Sequence, residues 1–170
     1  MQAAATLFQE RQRFDFWWLR ALFLLFVALS AWSFTQQIVF GVPWGNNPAP
    51  DGWVIVLGVI WGILFPAFIL SVTLRVDVRA DGVRVRLFPI MWRPRVIPPG
   101  EIVAHEVVTY RPLRDYGGWG IRLGPKGMAY NAGGNRGVML TLARGRRVLI
   151  GSRRPEEFAL AVEAMLRLRR

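Results

Sequence analysis

The sequence predicts an α+β membrane protein: a two-helix transmembrane hairpin followed by an antiparallel β-sandwich or open barrel with a C-terminal capping helix. Three observations carry this expectation. Residues 53–70 read WVIVLGVIWGILFPAFIL, 18 residues without a charge, close to the ~20 that a bilayer-spanning helix needs. The period then changes at once. In SVTLRVDVR (71–79), Val72, Leu74, Val76 and Val78 alternate with Thr73, Arg75, Asp77 and Arg79, the two-residue repeat of a half-buried strand. Charge is also segregated: residues 75–170 hold 19 of the 22 Lys and Arg and 8 of the 11 Asp and Glu, so the whole net charge of +11 falls after the apolar part.

The totals agree with a membrane anchor joined to one small domain. The chain has 170 residues and is 53% apolar, against a usual ~45–50%, and the excess lies before residue 75. It has no cysteine, which excludes a disulfide scaffold, a cysteine metal site and a cysteine nucleophile.

Residues 1–15 (MQAAATLFQERQRFD) mix small, polar and charged types. They read as a frayed cytoplasmic N-terminal segment, or as an interfacial helix with Leu7, Phe8 and Phe14 on one side. The first transmembrane helix is placed at 16–40. Its uncharged centre, ALFLLFVALSAWSF, is only 14 residues long. Trp17 and Trp18 extend it to one interface, Arg20 snorkels back to that interface, and Gln36 and Gln37 sit near the other. A cleavable signal peptide is the weaker reading, because Ala28-Leu29-Ser30 would be cut inside the apolar run. The external loop, 41–52 (GVPWGNNPAPDG), is rich in turn formers and has no Lys or Arg. A second transmembrane helix follows at 53–72, antiparallel to the first.

Arg11, Arg13 and Arg20 flank the outer end of the first helix, and Arg75, Arg79, Arg84 and Arg86 follow the second. The positive-inside bias therefore puts both termini in the cytoplasm, in a bacterial or archaeal inner membrane. Gly58 and Gly62 form a small-xxx-small pair suited to close helix packing. Pro66 is expected to kink the second helix or loosen one turn.

The cytoplasmic domain, 71–170, is punctuated like a small sheet. Strands are predicted at 71–79, 83–88, 95–97, 102–110, 119–123, 127–131, 138–143 and 146–150. Ala80-Asp81-Gly82 and Arg144-Gly145 make hairpin turns. From Pro155 to Arg169, the residues Phe158, Val162, Met165 and Leu166 recur at helical spacing. Pro155 suits the first helical position, and Glu156 and Glu157 suit the positive end of the helix dipole. Ser152 is a candidate cap, one or two residues early.

The hairpin around Asp81-Gly82, the stretch IPPGEI (97–102) and the ending RRVLIGSRRPEEFALAVEAM resemble the bacterial pleckstrin-homology-like (PH-like) domains of small membrane proteins. GGWGIR (117–122) and GMAYNAGG (127–134) are similar to an uncharacterised two-transmembrane-helix subgroup. The resemblance covers about residues 70–170. It implies a seven-stranded sandwich capped by a C-terminal helix, and allows homo-oligomers. It carries over no active-site residue.

Catalytic signals are weak. His105 is the only histidine, and its neighbour Glu106 would point to the opposite face of a strand. No G-x-S-x-G occurs and Ser152 is the only serine after residue 75. Gly124-Pro125-Lys126-Gly127 lacks phosphate-loop spacing. No catalytic residue, metal ligand or cofactor is expected. The candidate site is a mixed set of cations and rings, Arg111, Arg114, Trp119, Arg122 and Lys126 with Tyr110, Tyr116 and Tyr130 nearby, suited to an anionic headgroup or a lipid interface. Arg144, Arg146, Arg147, Arg153 and Arg154 form a second basic group. The expected function is a non-enzymatic, membrane-anchored binding or scaffold module, docking an anionic lipid or a membrane protein partner. The alternative is a structural or assembly subunit of a larger membrane complex. A nucleic acid held near an anionic bilayer would be repelled, so none is expected.

Overall fold

The computed structural model describes residues 6–14, 16–43 and 46–168. The chain divides into two compact units. One is Asp15–Ser71, and the other joins Met1–Phe14 to Val72–Arg170. The helical unit is therefore inserted into the β unit rather than placed before it.

The β unit has nine strands among the described residues. The first sheet has the order β1 (Thr6–Arg13), β2 (Thr73–Arg79), β3 (Gly82–Phe88), β4 (Arg95–Ile97), all antiparallel. The second has the order β5 (Ile102–Thr109), β8 (Arg136–Leu142), β9 (Arg147–Gly151), β7 (Gly127–Asn131), β6 (Gly120–Gly124). Leu74, Val76, Val83 and Val85 from one sheet meet Val138, Leu140, Val148 and Ile150 from the other in one buried core. The C-terminal helix, Pro155–Arg167, adds Phe158, Val162 and Met165 to it.

Three expectations are corrected. Within the N-terminal segment, residues 6–13 are neither frayed nor helical: they form β1, paired with β2 from Thr6↔Arg79 to Arg13↔Thr73; the rest of that expectation, at 1–5 and 15, lies outside the described residues. The second sheet is mixed rather than antiparallel, because β7 runs parallel to β9. The count is nine strands, not the seven implied by the resemblance, and a short helix, Pro112–Tyr116, is added.

Beyond its ladder with β2, β1 is fastened to the C-terminal helix and to its junction with β9. Phe8 stacks on Phe158 with ring centroids 5.3 Å apart, and the Arg154 guanidinium lies 5.0 Å from the Phe8 centroid. Glu10 is 7% exposed. Its carboxylate accepts the Ser152 hydroxyl proton and, at 2.8 Å, the Arg153 N–H. Gln12 Nε2 donates to the Gly151 carbonyl at 2.8 Å, and Arg154 Nη2 to the Gln9 carbonyl at 2.8 Å. Ser152 Oγ also accepts the Arg154 N–H at 3.0 Å, so it satisfies an orphan donor at the helix start.

In the helical unit the first apolar helix is Trp17–Val39 and the second Asp51–Ser71. The first ends in a π turn, with Phe40 N–H donating to Thr35 O at 3.1 Å. The second carries a π stretch at Ile60–Leu64, closed by Phe65 N–H to Ile60 O. It falls just before Pro66, which has no N–H for the preceding turn and whose ring crowds the carbonyl four residues back. Phe26 stacks on Trp61 at 5.7 Å, and Phe23 meets Phe65 edge-on at 6.0 Å. Gln37 Nε2 donates to Asp51 Oδ1 at 2.8 Å and to Ala49 O at 2.6 Å, tying together the two ends of the connecting loop.

Candidate functional site

The short helix Pro112–Tyr116 begins on Pro112, whose fixed φ suits a first helical position. It ends on Gly117 (φ +70), with Gly117 N–H donating to Leu113 O at 3.0 Å and Gly118 N–H to Pro112 O at 2.9 Å, the paired bonds of a left-handed glycine cap. The helix lies close against β6 because Gly124 has no side chain: a Cβ there would stand 2.4 Å from Asp115 O. This contact brings the 124–127 turn to the helix. A hollow of about 510 Å³ results, lined by Thr109, Tyr110, Arg111, Arg114, Asp115 and Lys126.

Within the hollow the charges are ordered around Asp115. Its Oδ2 accepts the Arg111 backbone N–H at 3.0 Å and its Oδ1 lies 3.3 Å from Lys126 Nζ. The Arg111 N–H, ahead of Lys126, holds the Asp115 carboxyl below its usual range. Lys126 is thus paired. The guanidinium groups of Arg111 and Arg114 have no hydrogen-bond or ion-pair partner among the described residues. Beneath them Tyr110 and Tyr116 pack edge-to-face at 6.0 Å. Burial pushes both phenols up from their ordinary pKa.

The structure therefore gathers Arg111, Arg114 and Lys126 and leaves two predicted residues out. Arg122 turns back to donate from Nε to the Trp119 carbonyl at 3.0 Å. Trp119 is half-buried near the 134 loop, with Nε1 3.4 Å from Gly134 O. Tyr130 belongs to the main core, where its hydroxyl accepts from Arg95 Nη1 at 2.8 Å. The second basic group does not converge: Arg144, Arg146 and Arg147 lie at the start of β9, Arg153 and Arg154 beyond its end, about 15 Å apart at strand rise.

In the helical unit, Gly62 faces the first helix, and a Cβ there would stand 3.0 Å from Ser30 Cβ. Gly58 faces open space: a Cβ there would meet no atom within 4 Å.

One basic face escapes sequence reasoning, because it depends on β1. On the outside of the first sheet, Arg11 pairs with Arg75 and Arg75 with Arg86. Alternation in β2 and β3 placed Arg75 and Arg86 outward. Only the register of the unrecognised strand adds Arg11.

The family model for a family of unknown function, DUF6141, matches residues 3–167. The chain belongs to that family. The match begins before β1 and ends in the C-terminal helix, so it spans both units, including the inserted helices. No curated protein matches the chain significantly.

Proposed function

We propose that this DUF6141 protein is a non-enzymatic, membrane-anchored binding or scaffold module. Its two apolar helices span a bilayer as a hairpin. Its basic β unit, PH-like in pairing two sheets with a closing helix, faces the cytoplasmic leaflet and docks an anionic lipid headgroup or a protein partner. The observation that carries this reading is the exposure of the helices. Each has an 18-residue apolar window only 11% buried, whereas a core helix of a water-soluble protein would be largely covered. At 23 and 21 residues and 1.5 Å per residue they measure about 34 and 32 Å, enough for ~30 Å of hydrocarbon.

The sheet supports a two-pass arrangement. The chain leaves β1 at Arg13 and re-enters β2 at Thr73, and these residues are paired neighbours. A segment whose two ends emerge side by side must cross an even number of times. Attachment is then supplied by the helices, and the surplus of arginine is free for orientation and recognition. Each Lys or Arg near an anionic surface contributes about 1 kcal/mol, falling away over a Debye length of ~8 Å.

Alkaline carbonate extraction, with reporters fused at both ends of the full chain, tests the proposal. Retention in the membrane pellet with both reporters cytoplasmic is the expected result. Release into the supernatant, or reporters on opposite sides, would overturn it. A second reading, a subunit of a larger membrane assembly, is favoured by Gly58: grooves of about 280 and 330 Å³ border it in the helical unit. Stoichiometric co-purification of a second membrane protein in mild detergent distinguishes it.

A further inference from the structure

We propose that the outer face of the four-stranded sheet is a phosphate-binding site, in which Arg11, Arg75 and Arg86, aligned across three neighbouring strands, hold one phosphate-bearing anion. The three residues occupy one transverse row: Arg11↔Arg75 between β1 and β2, Arg75↔Arg86 between β2 and β3. Strands lie ~4.8 Å apart, so the outer two backbone positions are about 10 Å apart. Their neighbours Glu10, Gln12, Leu74, Val76, Val85 and Leu87 are buried. By alternation the three arginines point outward together.

Like charges directly opposite one another weaken a sheet, and the row holds no acid. The nearest acids are Asp77, one row further along, and Asp81, which is ion-paired with Arg84. Protection of a sheet edge explains charges on β1, but β2 and β3 are interior strands. An inside bias of positive charge explains sign, not register. An anion bound over the row accounts for both.

Donors on this face also lack acceptors. Arg11 and Arg75 make no hydrogen bond or ion pair among the described residues. The Nε atoms of Arg79 and Arg84, and Asp77 Oδ1 on the same face, are closed off from water without a partner. Arg86 is already oriented, with Nε donating to Met91 O at 3.2 Å and its guanidinium 5.3 Å from the Phe88 centroid. A hollow of about 190 Å³ is lined by Arg75 and Arg86 of the row, with Asp77, Arg79, Arg84 and Pro94, while Arg11 lies outside its lining and would reach the anion from the neighbouring strand. It has room for roughly six waters at ~30 Å³ each, or a phosphate group with some of them.

Arginine's planar fork matches phosphate oxygens two at a time. Tetrahedral phosphate presents its oxygens in several directions, so separate oxygens reach separate guanidiniums. A planar carboxylate serves fewer. The source of the phosphate follows from chain spacing, and this part rests on the membrane reading. Arg75 comes four residues after the second apolar helix and Arg11 six before the first, within ~14 and ~21 Å of fully extended chain. A lipid headgroup is the phosphate nearest to hand.

The test uses the full chain in mild detergent, counting adducts by native mass spectrometry after adding phosphatidylglycerol, phosphatidylcholine or inorganic phosphate. We expect at least tenfold greater retention of phosphatidylglycerol than of phosphatidylcholine. Arg75→Gln with Arg86→Gln should lower it at least tenfold, while the charge-matched pair Arg153→Gln and Arg167→Gln changes it less than twofold. A phosphate adduct without lipid preference, lost in the first variant, keeps the site and assigns it to free phosphate. Equal retention of both lipids with no phosphate adduct in the unaltered chain overturns the site, and needs no variant to fold. Failure of the membrane reading shows separately, as release of the chain by carbonate.

Discussion

Glu10 offers a sharp test of how β1 is held. The carboxylate is buried and accepts two hydrogen bonds, one from the Ser152 hydroxyl and one from the Arg153 N–H. Hydrogen bonds to a charged group are each worth about 1.5–3 kcal/mol, and the two share one acceptor group, so they do not simply add. Glu10→Ala removes both and leaves the Arg153 N–H without its partner, at a cost of about 3 kcal/mol. For a domain of this size that lowers the melting temperature by ~10 °C or more. Glu10→Gln keeps the shape but only one acceptor oxygen: that oxygen can take the Arg153 N–H while Nε2 donates to Ser152 Oγ, reversing the second bond, so it should cost about 1 kcal/mol and ~4 °C. The assay is thermal unfolding of the full chain in mild detergent, with amide exchange at Phe8, Glu10 and Gln12 as the local readout. A melting temperature for Glu10→Ala within 1–2 °C of the unaltered chain, with β1 amides still protected, would refute the reasoning.

Other substitutions test single contacts. Gly137→Ala places a methyl group 2.4 Å from Ile150 O and 2.9 Å from Gly151 Cα, both backbone atoms, and should cost about 3 kcal/mol, read as a fall in melting temperature or loss of folded protein. Gly62→Leu meets Ser30 and should destabilise the helix pair by about 1–3 kcal/mol, while Gly58→Ala, whose methyl group meets no atom within 4 Å, stays within ~0.5 kcal/mol; melting in mild detergent compares them. Acid should also weaken the β unit. Asp115 is held low first by the Arg111 N–H, Glu156 first by its own backbone N–H and then by Arg136. Carboxyls lowered on folding contribute fully above their unfolded pKa values of ~3.9 and ~4.3 and lose the contribution as pH falls through the folded values. The melting temperature should therefore drop below about pH 4, and Asp115→Asn with Glu156→Gln should flatten that drop.

Much of the β unit was legible in the sequence because its strands announce themselves locally. Val72–Val78 and Val83–Leu87 alternate cleanly, and glycine or proline marks nearly every turn. β1 was hidden for a specific reason. Its inward positions are Phe8, Glu10 and Gln12, so two of three are polar and the period-two hydrophobic signal collapses. The Glu10 carboxylate and the Gln12 amide N–H are compensated by Ser152, Arg153 and Gly151, about 140 residues away, which no local pattern reveals. The parallel β7–β9 pairing spans only 20 residues (Met128↔Val148), but β8 lies between the two strands in sequence and no local pattern sets their direction.

The candidate site was half legible. Arg111 precedes the short helix Pro112–Tyr116 and Arg114 lies within it, and Lys126 is delivered by the 124–127 turn, so composition grouped what the fold also groups. Arg122 and Trp119 lie close in sequence but are bound up in their own turn. The arginine row needs the register of three strands, one of them unrecognised.

The central claim is that the helical unit interrupts a β unit whose first two strands are neighbours. It is tested most directly by excision: residues 15–71 are replaced by Asn-Gly, the dipeptide that closes a two-residue hairpin, joining Phe14 to Val72. We expect a protein that dissolves without detergent, has a β-rich spectrum and melts in one cooperative step, whereas residues 72–170 alone, lacking β1, do not fold. An excised chain that aggregates unfolded, or a 72–170 fragment that melts just as cooperatively, would contradict the account.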